Sequence, residues 1–245
     1  MKKNVLSIVL LSTAALSAQA GTMGPIVSGD YFVPFIEGEA AVTWNTTKSV
    51  TVFGSPANLN KDLWGGRGAV GVSHSFPSRW GYSVEMGWGY YGHTNSYASG
   101  TGPAGSLTIT NNSYLYGFDV LAGLSYSFDP VQIFFKAGAM AENRHVKGSA
   151  AFSNTVAGVT KVSTNTISSV ATNVLPELKV GGLYALNEHI SVSLAYMHVF
   201  GNDDFSASVT GGMSSPTATA GISSVANAQN PSLDSVLFGL VYQFI

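Results

Sequence analysis

The sequence predicts an all-β protein, an eight-stranded antiparallel up-and-down transmembrane β-barrel with four long extracellular loops. Three observations predict it. The first is the run 113–141. Tyr114, Tyr116, Phe118, Val120, Ala122, Leu124, Tyr126 and Phe128 fall on one side of a strand, while Leu115, Gly117, Asp119, Leu121, Gly123, Ser125 and Ser127 fall on the other. Side chains alternate sides along a strand, so one face is greasy and the other small and polar with an acid at its middle. After a turn at Asp129-Pro130 the pattern repeats, with Val131, Ile133, Phe135, Ala137, Ala139 and Ala141 opposite Gln132, Lys136, Gly138 and Glu142. These strands exceed the roughly 5–6 residues usual in soluble sheets and reach the roughly 9–11 that a tilted strand needs to cross a bilayer. The second observation is charge. Charged residues are 10% of the chain, against about 25% in soluble domains, too few to cover a water-facing surface. The third is that eight such runs can be laid out, separated in turn by long polar segments and tight turns.

Residues 1–20 read as a secretory signal peptide. Lys2 and Lys3 precede an apolar run from Val5 to Leu16, and Ala18-Gln19-Ala20 is a small-x-small cleavage site. The apolar run is shorter than the roughly 20 residues of a helical span. Residues 21–245 then form one barrel domain, opening on a short periplasmic lead over 21–31. There is no cysteine, which excludes disulfides and thiolate metal sites. A net charge of −2 gives no basis for a nucleic-acid partner.

In chain order, strand one is expected over residues 35–46, with Ile36, Gly38, Ala40, Val42 and Trp44 facing lipid. Glu37 and Glu39 mark the inner face, because acids on the lipid side are costly. A first long loop over 45–63 leads to strand two, 64–76, with Val70, Val72 and Phe76 outward and Arg67, Gly71, Ser73 and Ser75 inward. Pro77-Ser78-Arg79 is a short turn. Strand three, 80–91, sets Trp80, Tyr82, Val84, Met86, Trp88 and Tyr90 against Gly81, Ser83, Glu85, Gly87 and Gly89. A second long loop, 92–112, precedes strands four and five. A third, low-complexity loop is expected over 147–172. Strand six, 174–186, places Leu178, Val180, Tyr184 and Leu186 outward and Glu177, Lys179 and Gly181 inward, with Pro176 near its loop end, where a missing donor is tolerated. Asn187-Glu188-His189 turns into strand seven, 190–200. The longest loop, 201–232, leads to strand eight, 233–244. Both ends lie on the short-turn side. The even count lets first and last strands pair, so that no edge is left in hydrocarbon.

The ending, with Val236, Phe238, Leu240, Tyr242 and Phe244 alternating up to a terminal aromatic, is similar to the C-terminal signature of bacterial outer-membrane barrels. Ile245 after the aromatic is a one-residue departure from it. The resemblance implies that Phe238, Leu240, Tyr242 and Phe244 are read by the barrel-assembly machinery, and that the protein lives in a Gram-negative outer membrane among its lipids and lipopolysaccharide. The mature chain as a whole resembles small eight-stranded barrels of the OmpA, OmpX and opacity-protein type, and no periplasmic domain is expected after the last strand. By that resemblance the long loops face outward and bind host or surface ligands.

Three features are candidates for function. Glu37, Glu39, Arg67, Glu85, Asp119, Lys136, Glu142, Glu177 and Lys179 are expected to form a charge network in the lumen. An eight-stranded barrel is just wide enough for side chains to fill. The network then plugs the barrel, or, on the alternative reading, Glu85 and Asp119 with Lys136 or Arg67 gate a narrow ion path. His198, near the outer leaflet, is similar to the base of the His-x-Ser element of lipid A deacylases, but Phe200 stands where the nucleophile belongs. The loops, rich in Ser, Thr, Gly and Asn, carry Tyr91, Tyr97 and Phe152 as anchors. Gly65-Gly66-Arg67-Gly68 and Gly211-Gly212 lack the strand–loop–helix context of a phosphate site. No catalytic residue, cofactor or metal is therefore expected. The readings, in order, are a non-enzymatic structural and surface-interaction barrel, a narrow channel, and a lipid A-modifying enzyme. The alternative fold is a soluble lipocalin-like barrel with the greasy face turned inward.

Overall fold

The computed structural model describes residues 32–45, 51–52, 55–56, 58–62, 64–102, 105–156, 159–201 and 230–245. Eight strands make the barrel: β1 (Phe32–Asn45), β2 (Trp64–Ser75), β3 (Trp80–Gly102), β4 (Gly105–Ser127), β5 (Val131–Val156), β6 (Val159–Ala185), β7 (Ile190–Val199) and β8 (Leu233–Gln243). Each pairs antiparallel with its neighbours in sequence, and β1 pairs with β8 from Phe35↔Gln243 to Asn45↔Leu233, closing the barrel. Closure satisfies every backbone donor and acceptor at membrane depth within the protein. The signal peptide and lead, and the longest connection apart from its two ends, lie outside the described residues.

Burial follows the predicted alternation and is inverted relative to a soluble protein. On β4, Phe118, Val120 and Leu124 are 47, 47 and 60% exposed, while Asp119 and Leu121 between them are fully buried. The lipocalin-like alternative, with its greasy side inward, is thereby excluded. The exposed apolar surface forms a belt around the barrel that includes the aliphatic side chains of Ile36, Val70, Val84 and Ile133. Rings gather at its rims. Phe32, Phe76 and Tyr82 surround His74 at the short-turn end, with centroids 5.1, 4.8 and 5.2 Å from the imidazole. Trp44, Trp64, Trp88 and Tyr196 sit at the other rim.

The short turns close as expected. Asn187 Oδ1 accepts the backbone N–H groups of His189 (2.9 Å) and Ile190 (2.8 Å), tightening the β6–β7 turn. Strand β1 starts at Phe32 rather than at residue 35, and its Phe35 side chain points inward.

The larger differences are at the long-connection end. The expected second and third loops are instead continuations of strands. β3 and β4 run on in register to Gly102↔Gly105, and β5 and β6 to Val156↔Val159. At roughly 3.3 Å per residue, the 26 residues of β5 reach far beyond the roughly 30 Å of a hydrocarbon core. The result is a four-stranded antiparallel sheet standing above the barrel, with Asn58–Asp62 added along β3. A bulge at Tyr91-Gly92, where Gly92 takes a φ of 89°, shifts the β3 register between barrel and extension. Tyr91, the inward position after Gly87 and Gly89, lies in the lumen at 1% exposure, so it is no loop anchor; the bulge moves the residues after it, with Thr94 rather than His93 buried. Tyr97 is 49% exposed on the extension, while the Phe152 side chain lies outside the described residues. Pro176 is also not at a strand end. It sits within β6, paired with Ala139, at the level where β7 stops, and its carbonyl accepts the Phe200 N–H at 3.0 Å.

Candidate functional site

The inward positions of six strands bring the nine expected lumen residues into the barrel interior. All are buried, from fully enclosed Asp119, Glu142 and Lys179 to Glu39 and Lys136 at 6% exposure. At the centre is Arg67 of β2. Its Nε donates to Asp119 Oδ2 (2.9 Å), Nη1 to Glu39 Oε2 (3.0 Å), and Nη2 to both Glu85 Oε1 (2.9 Å) and Asp119 Oδ1. The planar fork thus links acids from β1, β3 and β4, a geometry a lysine cannot reproduce. Gly87 makes room for it: a Cβ there would sit 2.6 Å from the guanidinium. Gly87→Ala is therefore expected to lower stability by about 1–3 kcal/mol, read as a reduced urea midpoint for the barrel folded in lipid.

Two lysines complete the cluster. Lys179 Nζ lies 3.2 Å from Glu37 and 3.0 Å from Glu39, and Lys136 Nζ pairs with Glu85 while resting 4.7 Å from the centre of the Phe134 ring. The side chains of Arg67, Glu39, Glu85, Asp119 and Lys179 have no solvent-accessible surface. Below the cluster, a cavity of about 50 Å³ lined by Ser73, Ser83, Ser125 and Gln132 opens at the short-turn end and stops at Lys136 and Phe134. Above it the lumen is not wholly polar. Tyr91, Leu115, Met140, Met197 and Leu237 pack together there.

The network is uneven. Among the described residues, six carboxylates and four cations are buried, the fourth cation being Arg144, which donates to Ser113 Oγ at 2.9 Å. The oxygens of Glu85 and Asp119 meet cations, whereas both oxygens of Glu142 and of Glu177 lack a hydrogen-bond partner in the protein. Neutralising an unpaired buried carboxylate removes a penalty, while neutralising a paired one strands its partner. Glu177→Gln is therefore expected to leave the urea midpoint unchanged or raise it, and Glu85→Gln to lower it. Arg144 escaped the sequence reading because strand five was followed inward only as far as Glu142. Continuing the alternation two residues would have found it.

On the outer wall, His198 and Asp234 are directly opposed across β7 and β8. The His198 Nδ1 lies 2.7 Å from Asp234 Oδ1, which also accepts the Tyr196 hydroxyl. The Phe200 ring stands edge-on to the imidazole at 4.3 Å, so the position two residues past His198 is filled by a hydrocarbon ring. Among the described residues, no group of three or more His, Asp or Glu is placed to hold a metal ion. Gly65, Gly66 and Gly68 lie within strand β2. The aromatic and aliphatic residues of the C-terminal signature, Phe238, Leu240, Tyr242 and Phe244, are 40–56% exposed on the outer face.

No family model matches the chain, and no curated protein does. Among solved structures, it is similar to Ail, the attachment invasion locus protein of Yersinia pestis, at 13% identity and a TM-score of 0.37, over 87% of this chain and 97% of that one. It is similar to the outer membrane protein OprG from Pseudomonas aeruginosa at 12% identity and a TM-score of 0.37, over 91% and 98%. It is similar to Neisserial surface protein A at 13% identity and a TM-score of 0.32, over 86% and 97%. The pairing registers of the chain itself establish the fold: a small, closed, eight-stranded antiparallel barrel.

Proposed function

We propose that the chain is a non-enzymatic outer-membrane barrel whose interior is sealed and whose projecting sheet, on the outside of the cell, is its interaction surface. The observation that carries this reading is the pairing of the two parts. A lumen filled by solvent-free ion pairs serves poorly as a conduit, and a four-stranded sheet standing clear of the membrane is far more structure than a connection needs. The short turns face the periplasm, as in barrels of this kind. The lipid neighbours are phospholipid and lipopolysaccharide, and the assembly machinery takes up the C-terminal strand through Phe238, Leu240, Tyr242 and Phe244.

Two measurements test this. In planar bilayers the purified protein is expected to give at most small, irregular current steps; large stable steps would refute the sealed lumen. The second uses a shortened variant lacking residues 96–111 and 148–167, each gap closed by an Asn-Gly turn. Its barrel pairings are intact, so it is expected to keep heat-modifiable gel migration. Cells displaying it are expected to lose most of their adherence to host cells and solid surfaces. Unchanged adherence with a folded barrel would overturn the interaction role.

A further inference from the structure

The projecting sheet ends on one side in an edge that the barrel does not use. β7 covers β6 only from Ala185 up to Glu177, with one further bond at Pro176. Above that point, among the described residues, β6 is paired on its β5 side alone. The stretch 162–170, Val-Ser-Thr-Asn-Thr-Ile-Ser-Ser-Val, carries no charge and no proline. Lysines, prolines and bulges are the usual devices that stop an edge from pairing with another chain, and this stretch has none of them. Val162 and Val170 are 67 and 57% exposed.

The stretch is also close to a palindrome. About Thr166, Val162 mirrors Val170 and residue 163 mirrors residue 169 as Ser and Ser; Thr164 mirrors Ser168 hydroxyl for hydroxyl, and Asn165 and Ile167 alone differ in chemical kind. A two-fold contact sets residue i against j and j against i. Two copies of this edge, run antiparallel about Thr166, therefore place Val on Val and hydroxyl on hydroxyl, pairings that stabilise adjacent strands. An uncharged edge neither repels its own copy nor offers an ion-pair partner to a charged ligand.

We infer that the β6 edge over residues 162–170 is a self-recognition site that pairs antiparallel with the same edge of a second copy anchored in a facing membrane. Membrane geometry fixes the choice of facing membranes. Copies in one bilayer are related by axes along its normal, so their β6 strands run the same way and meet only in parallel. Copies in two opposed bilayers point their sheets at each other and meet antiparallel, the arrangement that aligns the palindrome. The inference deepens the proposed surface role and rests on the sheet being outside the cell.

The test uses full-length protein inserted into two populations of phosphatidylcholine vesicles, one carrying a size-tagged chain and one an untagged chain. The native chain has no cysteine, so Thr166→Cys introduces a single thiol. Opposed residues of an antiparallel pair lie about 4.5–5.5 Å apart at Cα, within disulfide reach. Mixed vesicles are expected to cluster, and mild oxidation is expected to join tagged to untagged chains through residue 166. The double variant Val162→Lys/Val170→Lys opposes like charges across the contact and is expected to slow clustering about tenfold or more. Its heat-modifiable migration reports that it still folds. Three results would overturn the inference: no clustering by the wild type, clustering indifferent to the lysines, or crosslinks confined to chains of one vesicle population. Each leaves the adherence experiment on the shortened variant standing, so failure here and failure of the surface role are told apart.

Discussion

Replacing Arg67 with methionine is expected to destabilise the folded barrel by about 3–5 kcal/mol, the cost typical of removing one partner from a buried ion pair. Arg67 reaches Asp119, Glu39 and Glu85 together, so its loss leaves three enclosed acids with two lysines. Lys179 is already shared between Glu37 and Glu39 at 3.0–3.2 Å, and Lys136 is tied to Glu85. Neither can reach Asp119 without abandoning its present acid. Arg67→Lys keeps the charge but loses the fork, and is expected to fall between wild type and Arg67→Met. The measurement is a urea unfolding midpoint in lipid vesicles. Full stability for Arg67→Met would mean that the cluster is incidental. Adding Asp119→Asn to Arg67→Met should restore part of the loss, because residues sharing one network couple strongly.

The second large effect is expected on the opposite face. Val120, 47% exposed at mid-height of the belt, is flanked on its own strand by Phe118 and Leu124, also exposed. Val120→Arg is expected to cost about 2–4 kcal/mol, the range for arginine facing lipid at the bilayer midplane. On a water-facing wall the same change would cost little, as is usual for surface substitutions. Thr164→Arg, exposed on the projecting sheet, provides the comparison and is expected to leave the unfolding midpoint within experimental error. Equal, small effects at both positions would mean that no lipid contacts the belt.

The barrel could be read from the sequence because its two faces meet different surroundings. Glu37 and Glu39 fix the inner side of β1, and Tyr116, Val120 and Leu124 fix the outer side of β4, through one period-two pattern. That pattern is lost in the extensions, on β5 beyond Val146. In the extensions of β3 to β6, Ser, Thr, Val and Asn follow one another without a greasy-against-polar period. Their strand character lies in the β-branched Val, Thr and Ile, a weaker signal than alternation. Tyr91 continues the inward series Glu85, Gly87 and Gly89, so its lumen position was already legible; what the bulge at Gly92 hid is the face of the residues after it, where Thr94 rather than His93 is buried.

Inward direction was legible for each lumen charge, and so was the nearness of Glu85 and Asp119 to Arg67 and Lys136, but the detailed partnership was not. That Arg67 unites Asp119, Glu39 and Glu85 depends on relative strand heights. Those heights are set by the pairings Glu39↔Arg67 and Gly71↔Glu85, which link strands whose separations in sequence carry no register information. The His198–Asp234 contact was hidden in the same way, because the connection over 201–232 gives no count that aligns β8 with β7. Glu142 and Glu177 looked equivalent to Glu85 as inward acids. Only the three-dimensional arrangement separates acids that meet cations from those that do not.

The central claim is that neighbouring residues of one strand touch two different media, and Leu124 and Ser125 test it most directly. Leu124 is 60% exposed on the outer wall, and Ser125 lines the cavity open at the short-turn end. Each is changed singly to cysteine and probed in the folded, lipid-inserted protein. A fluorophore at position 124 is expected to be quenched by phospholipids carrying a nitroxide on the acyl chain and to be indifferent to water-soluble quenchers, while the thiol at 125 is expected to react with a small charged reagent from the aqueous side. Lipid quenching at 125 together with aqueous labelling at 124 would turn the barrel inside out and contradict the account.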